Sequence, residues 1–159
     1  MKKILFMSSI ALTHGEINEQ RAFLAKFLQL YKNGYSVLGF DELNVFFNVN
    51  MVRHFAQENF IFNKLLQYGR LDEKFTRIVK DSIEEHEVFL DEFRQLAATA
   101  DKIKRGEEEI TLELLKKYEL VAWALTKHAQ LEDVVIFEEV AARLGDKICA
   151  SIDEELKKL

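Results

Sequence analysis

The chain contains no proline, one cysteine and only six glycines in 159 residues. Without proline no residue obligatorily breaks a helix, and so few glycines cannot serve the many tight turns of an extensive sheet. A single cysteine, Cys149, excludes an intramolecular disulfide and suits a reducing, cytoplasmic setting. No run reaches the roughly 18 consecutive apolar residues that a membrane span requires. The formal net charge is −5, with both signs interspersed, so there is no basic footprint for nucleic acid or an anionic membrane. Met1 to Leu12 joins two lysines to an apolar stretch, but the stretch is short and no small-residue cleavage site follows it. It is read as an apolar lead-in to the first helix and not as a secretory signal.

What is present suits helices. Hydrophobic residues make up 48% and charged residues 31% of the chain, enough to cover a core and a solvated surface within one domain over 1–159. Glycines at Gly34, Gly69, Gly106 and Gly145 divide the chain into segments of helical length, and glycine just past a helix is a common stop. The divisions predict helix A over 12–32, B over 40–67, C over 72–104, D over 110–143 and a tail helix over 147–157. Four long helices joined by short loops predict an all-α fold, an antiparallel up-down four-helix bundle with a short C-terminal helix.

Heptad spacing predicts the inward faces. On helix C the stripe is Phe75, Val79, Ser82, His86, Phe89, Phe93, Leu96 and Ala100. On helix D it is Leu114, Tyr118, Val121, Leu125, His128, Glu132 and Val135. On helix B it is Leu43, Phe47, Asn50, His54, Glu58, Ile61 and Leu65, and on helix A it begins with His14, Ile17 and Arg21. The chain has four histidines, and all four lie on these stripes.

Their heights also agree. With about 1.5 Å of rise per residue, each climb from one histidine to its helix end matches the descent to the next histidine to within about a turn. All four imidazoles are therefore expected in one layer. His54 and His128 each have a glutamate four residues on, Glu58 and Glu132, on the same helix face. Forty residues separate His14 from His54 and forty-two separate His86 from His128, a pseudo-repeat of helix pairs.

Burying ionised carboxylates demands strong compensation, and two divalent cations would supply it. Nitrogen and oxygen donors without thiolate suit iron, manganese or zinc. Six protein ligands for two ions would leave positions open for water, hydroxide, dioxygen, nitric oxide or peroxide.

The pattern resembles the hemerythrin-like, or HHE cation-binding, superfamily. It is carried by His14, the run from His54 to Phe62, the run from His86 to Leu90, and the run from His128 to Phe137. The resemblance implies two iron ions in a di-iron centre with an oxo or hydroxo bridge. One iron would be held by His14 and His54, the other by His86 and His128, with Glu58 and Glu132 bridging. It implies binding of dioxygen or nitric oxide for sensing, storage or stress protection. The alternative is a di-iron peroxidase or an iron donor for repair of damaged iron centres.

Two positions depart from the respiratory hemerythrins. Ser82 stands where they carry a fifth histidine. Their second bridging acid lies five residues after the last histidine, here Asp133, whereas Glu132 at four residues matches the iron-centre repair and iron-sensing branches and fits the seam. A small hydroxyl in place of a terminal ligand favours nitric oxide binding, peroxide chemistry or iron release over reversible dioxygen carriage.

The phenylalanines, among them Phe46, Phe47, Phe60, Phe62, Phe89 and Phe93, are expected to form core and to shield the ions from bulk water. Tyr118, Trp123 and Asn50 are expected to pack and not to support ligands. Cys149 is expected to pack as a small hydrophobe, and Glu107, Glu108 and Glu109 to form a solvated loop.

Overall fold

The computed structural model describes residues 10, 13–19 and 40–159. The N-terminal lead-in, Arg21 and the rest of helix A, with Phe23 and Phe27, lie outside these residues. Residues 13–19 are helical (α1). One continuous helical rod follows, formed by α2 (Phe40–Val45), a π-helical turn (π1, Phe46–Asn50) and α3 (Met51–Tyr68). Then come α4 (Glu73–Lys104) and a second rod of α5 (Leu112–Leu131), a π turn (π2, Glu132–Phe137) and α6 (Glu138–Leu156). No strand occurs among the described residues, and none of their helices is long and apolar enough to cross a membrane.

The helix ends follow from local chemistry. Asp72 caps α4 by accepting a hydrogen bond from the Phe75 backbone N–H at 2.7 Å, and Thr111 caps α5 from the Leu114 N–H at 3.1 Å. At the far end of α4, Gly106 turns left-handed at φ 74°. Its N–H donates to the Ile103 carbonyl at 3.0 Å, and that of Glu107 donates to Lys102 at 2.9 Å. This paired closure requires a residue with no Cβ penalty at positive φ. Gly145, at φ 78° and ψ 168°, breaks α6 and sets off the tail. The apolar side of that tail, Cys149, Ile152 and Leu156, is buried.

Two apolar clusters form the interior. The first gathers Ile17, Phe47, Met51, Phe55, Phe89, Phe93, Tyr118 and Leu125 among others. The second gathers Ile10, Ile61, Phe62, Leu65, Val79, Ile136, Phe137 and the tail residues. Along α3 and along the α5–π2 rod the first cluster comes before the second, whereas from Ile10 to Ile17 and along α4 the order is reversed. Between the clusters lie the buried polar side chains His14, His54, Glu58, Ser82, His86, His128 and Glu132.

The stripe predicted for α4 is buried except at Phe75, which is half-buried. On the two rods the π turns correct the expectation. Asn50 is exposed and Met51 is buried in its place, while Val135 is half-buried and Ile136 fully buried. A π turn carries one more residue per turn than the α spacing, so the apolar side shifts by one position across it. Leu114 likewise yields its place to Leu115.

Candidate metal centre

α1 contributes His14, α3 contributes His54 and Glu58, α4 contributes His86, and α5 with the first residue of π2 contributes His128 and Glu132. All six side chains are buried, with Glu58, His86 and Glu132 at 0% exposure. The Nε2 atoms of His14 and His54 approach to 3.1 Å. His14 Nε2 is 3.3 Å from Glu58 Oε2, and His54 Nε2 is 2.8 Å from Glu58 Oε1. On the other side His86 Nε2 is 3.1 Å from Glu132 Oε2, and His128 Nε2 is 3.1 Å from Glu132 Oε1. Glu58 Oε1 also lies 3.5 Å from His86 Nε2, and Glu132 Oε1 lies 3.9 Å from His14 Nε2. Each carboxylate thus faces imidazoles of both pairs.

These atoms form two groups that could hold a metal ion. One is His14, His54 and Glu58, and the other is Glu58, His86, His128 and Glu132, with the donor atoms of each group within 4.8 Å of one another. Glu58 belongs to both.

Three of the imidazoles are gripped from outside by their other nitrogen. Nδ1 of His14 donates to Asp133 at 2.8 Å, Nδ1 of His86 to the Asn59 side-chain oxygen at 2.6 Å, and Nδ1 of His128 to Glu85 at 2.5 Å. With the proton on Nδ1, a neutral imidazole turns the Nε2 lone pair inward. There it meets carboxylate oxygens, which are acceptors as well. Lone pairs facing lone pairs in a dry interior are held together only by protons or by cations.

The unpaired atoms tell the same way. Glu58 Oε1, Glu132 Oε1 and His128 Nε2 are buried with no hydrogen-bond partner despite the short separations. Unpaired buried polar atoms call for a specific occupant. Four carboxylates, Glu58, Glu132, Asp133 and Glu85, touch the four imidazoles. Their formal charge matches that of two divalent cations, so the donor set fits such a pair.

Without metal the charges are balanced by protons. Burial by itself would lower the His14 pKa, but hydrogen bonds to Asp133 and Glu58 override it and raise the value to about 10. His128 is likewise opposed by burial and raised to about 8 by Glu132 and Glu85. For Glu58 burial would raise the pKa, yet the attraction of His54 and the hydrogen bond from His14 hold it well below the usual carboxylate range.

Aromatic rings close the layer. Phe55 stacks on His86 with centroids 4.2 Å apart, Phe89 meets His128 edge-on at 5.3 Å, and Phe137 meets His14 at 6.1 Å. These walls lower the local dielectric and strengthen every charge interaction inside. Tyr118 is a packing residue as expected, its hydroxyl donating to Asn44 at 2.7 Å. Trp123 is exposed beside Lys127 and does not pack in the core. Cys149 is buried in the second cluster, and the glutamates from Glu107 to Glu109 are solvated.

Of the two candidate acids in π2, Glu132 lies inside and Asp133 is half-exposed at the rim, where it holds His14. Ser82 is buried and its hydroxyl donates to Glu132 Oε2 at 2.9 Å. The outer partners Asn59, Glu85 and Asp133 were not foreseen from sequence. The available signal was their position, each one residue from an inward-facing glutamate or histidine on a helix. A cleft of about 310 Å³, lined by Thr13, Glu16, Asn50, Arg53 and Gln57, reaches His54. A larger cleft, about 740 Å³, lies by the loop before α5 and shares no residue with this layer.

The helices and this layer define a helical protein with a buried histidine and carboxylate cluster able to hold metal ions. Comparisons with protein-family models, with curated proteins and with solved structures found no match.

Proposed function

We propose that this chain is a hemerythrin-like non-haem di-iron protein that binds dioxygen or nitric oxide at a carboxylate-bridged site, serving sensing, storage or stress protection. The observation that carries the reading is the inward convergence of four imidazole Nε2 atoms on two buried glutamates. His14 and His54 would hold one iron, His86 and His128 the other, with Glu58 and Glu132 between them. Iron in this donor set supplies open coordination positions for a diatomic ligand. The proposed frame is an antiparallel four-helix bundle, supported by the alternating order of the two apolar clusters along successive helices. The lone Cys149 supports a reducing, cytoplasmic setting.

Anaerobic loading with ferrous iron, followed by metal analysis and spectra with oxygen and with nitric oxide, tests the reading. Two irons per chain and new absorption with either gas are expected. Fewer than one iron per chain, unchanged by His128→Ala, would sink it.

A second reading, a peroxidase or an iron donor for damaged iron centres, is favoured by Ser82. A hydroxyl that orients Glu132 stands where a terminal ligand would saturate the metal. Peroxide turnover or transfer of iron to an apo acceptor, reduced by Ser82→His, distinguishes it from a simple binder.

A further inference from the structure

We infer that the two metal positions are unequal, and that the ion held by His14, His54 and Glu58 is the exchangeable one, entering and leaving by the cleft over His54. This rests on the proposed metal function and adds to it which ion moves and by what route.

Three independent features point the same way. The first is donor count: Glu58, His86, His128 and Glu132 form one group of four, whereas His14, His54 and Glu58 form a group of three. Each glutamate leans toward its own pair, but Glu58 reaches across to His86 at 3.5 Å whereas Glu132 stays 3.9 Å from His14.

The second is the outer grip. His14, His86 and His128 each donate from Nδ1 to a side-chain oxygen, but His54 Nδ1 is buried without a hydrogen-bond partner. Such outer partners fix the ring orientation and its basicity, and losing one typically costs about 10- to 100-fold in metal affinity. His54 is the one ring among the four that lacks this support.

The third is access. The cleft of about 310 Å³ is lined in part by His54, and its lining is mostly polar, with Thr13, Asn50, Gln57 and the apolar Val49 beside the exposed acid Glu16 and the exposed base Arg53. A cation approaching His54 would pass a carboxylate that attracts it and a guanidinium that repels it. His86, by contrast, is stacked on Phe55 and lies near Phe62, and is fully buried.

The test is to load the full chain anaerobically with ferrous iron and then follow its removal by an excess of chromophoric chelator. Two phases are expected, one equivalent leaving at least 10-fold faster than the other. His54→Ala should abolish the fast equivalent and keep the slow one, and His128→Ala should remove the slow one. Glu16→Gln should slow the fast phase and Arg53→Gln should speed it, with no change in the slow phase. These two exposed positions keep the test valid if a ligand variant fails to fold. Two equivalents released at one rate, or loss of the slow equivalent in His54→Ala, overturns the inference while leaving the metal function standing. Failure of the intact chain to take up any iron overturns both.

Discussion

Asp133 accepts a hydrogen bond from Nδ1 of His14 at 2.8 Å and so ties the first helix to π2, across 119 positions of sequence. Its neighbour Glu132 turns the other way, into the buried layer. One wide turn thus supplies both an inward acid and the outer support of the opposite imidazole. Asp133→Asn keeps the shape and removes the charge. It should weaken metal binding by about 10- to 100-fold, measured by competition with a chelator, whereas Glu132→Gln should cost far more because it removes a buried charge and one of the two carboxylate oxygens.

Ser82→Ala deprives buried Glu132 of its hydroxyl donor. An unsatisfied buried acceptor costs about 1–3 kcal/mol. Urea unfolding of the metal-free variant should show that loss, and the loss should shrink when metal occupies the site and pairs the same oxygen.

The metal-free protein should have a distinctive pH dependence. His14 and His128 are raised from 6.5 to about 10 and about 8, so their contribution is complete below pH 6.5 and is lost as pH rises through 8 and then 10. Glu58 is lowered, so its contribution is present above its usual 4.5 and is lost only in strong acid. Stability from this cluster is therefore greatest between about pH 4.5 and 6.5 and declines in alkali. Metal requires neutral imidazoles, so loading should release protons and move the sensitivity to the acid side. Denaturation midpoints from pH 4 to 10, with and without metal, check both signs.

Phe55→Ala opens a cavity where the ring stacked on His86. A loss of about 3–5 kcal/mol is expected from the missing contacts. Water reaching the layer should also shorten the lifetime of any oxygen or nitric oxide complex, observable by stopped-flow absorbance.

Gly145→Ala isolates a backbone effect. A Cβ there would meet nothing within 4 Å, but φ 78° with ψ 168° is open essentially to glycine alone. About 1–3 kcal/mol of destabilisation is expected, with metal content unchanged because the tail lies beyond the histidine layer.

The inward stripe of α4 could be read by eye because the helix is α throughout and has no irregular turn. The same spacing is off by one at Asn50 and Val135, which lie inside the π turns. A π turn leaves no local sequence signature, since the inserted residue is accommodated by a wider hydrogen-bonded ring and by what packs against it. Trp123 misled for a different reason: indole suits a core, yet its position on α5 faces outward beside Lys127.

The sequence by itself determined which face of each helix carries the histidines inward and at what height, because helical period and rise are local properties of the chain. His54 with Glu58 and His128 with Glu132 are neighbours on single helices and could be paired from spacing alone. Only the tertiary structure decided which helix meets which at the layer. The rotation and offset of packed helices place Asp133 on His14, Asn59 on His86, Glu85 on His128 and Ser82 on Glu132, and they leave Nδ1 of His54 without a hydrogen-bond partner. Those angles follow from the packing of whole helix surfaces, which no local stretch of sequence encodes.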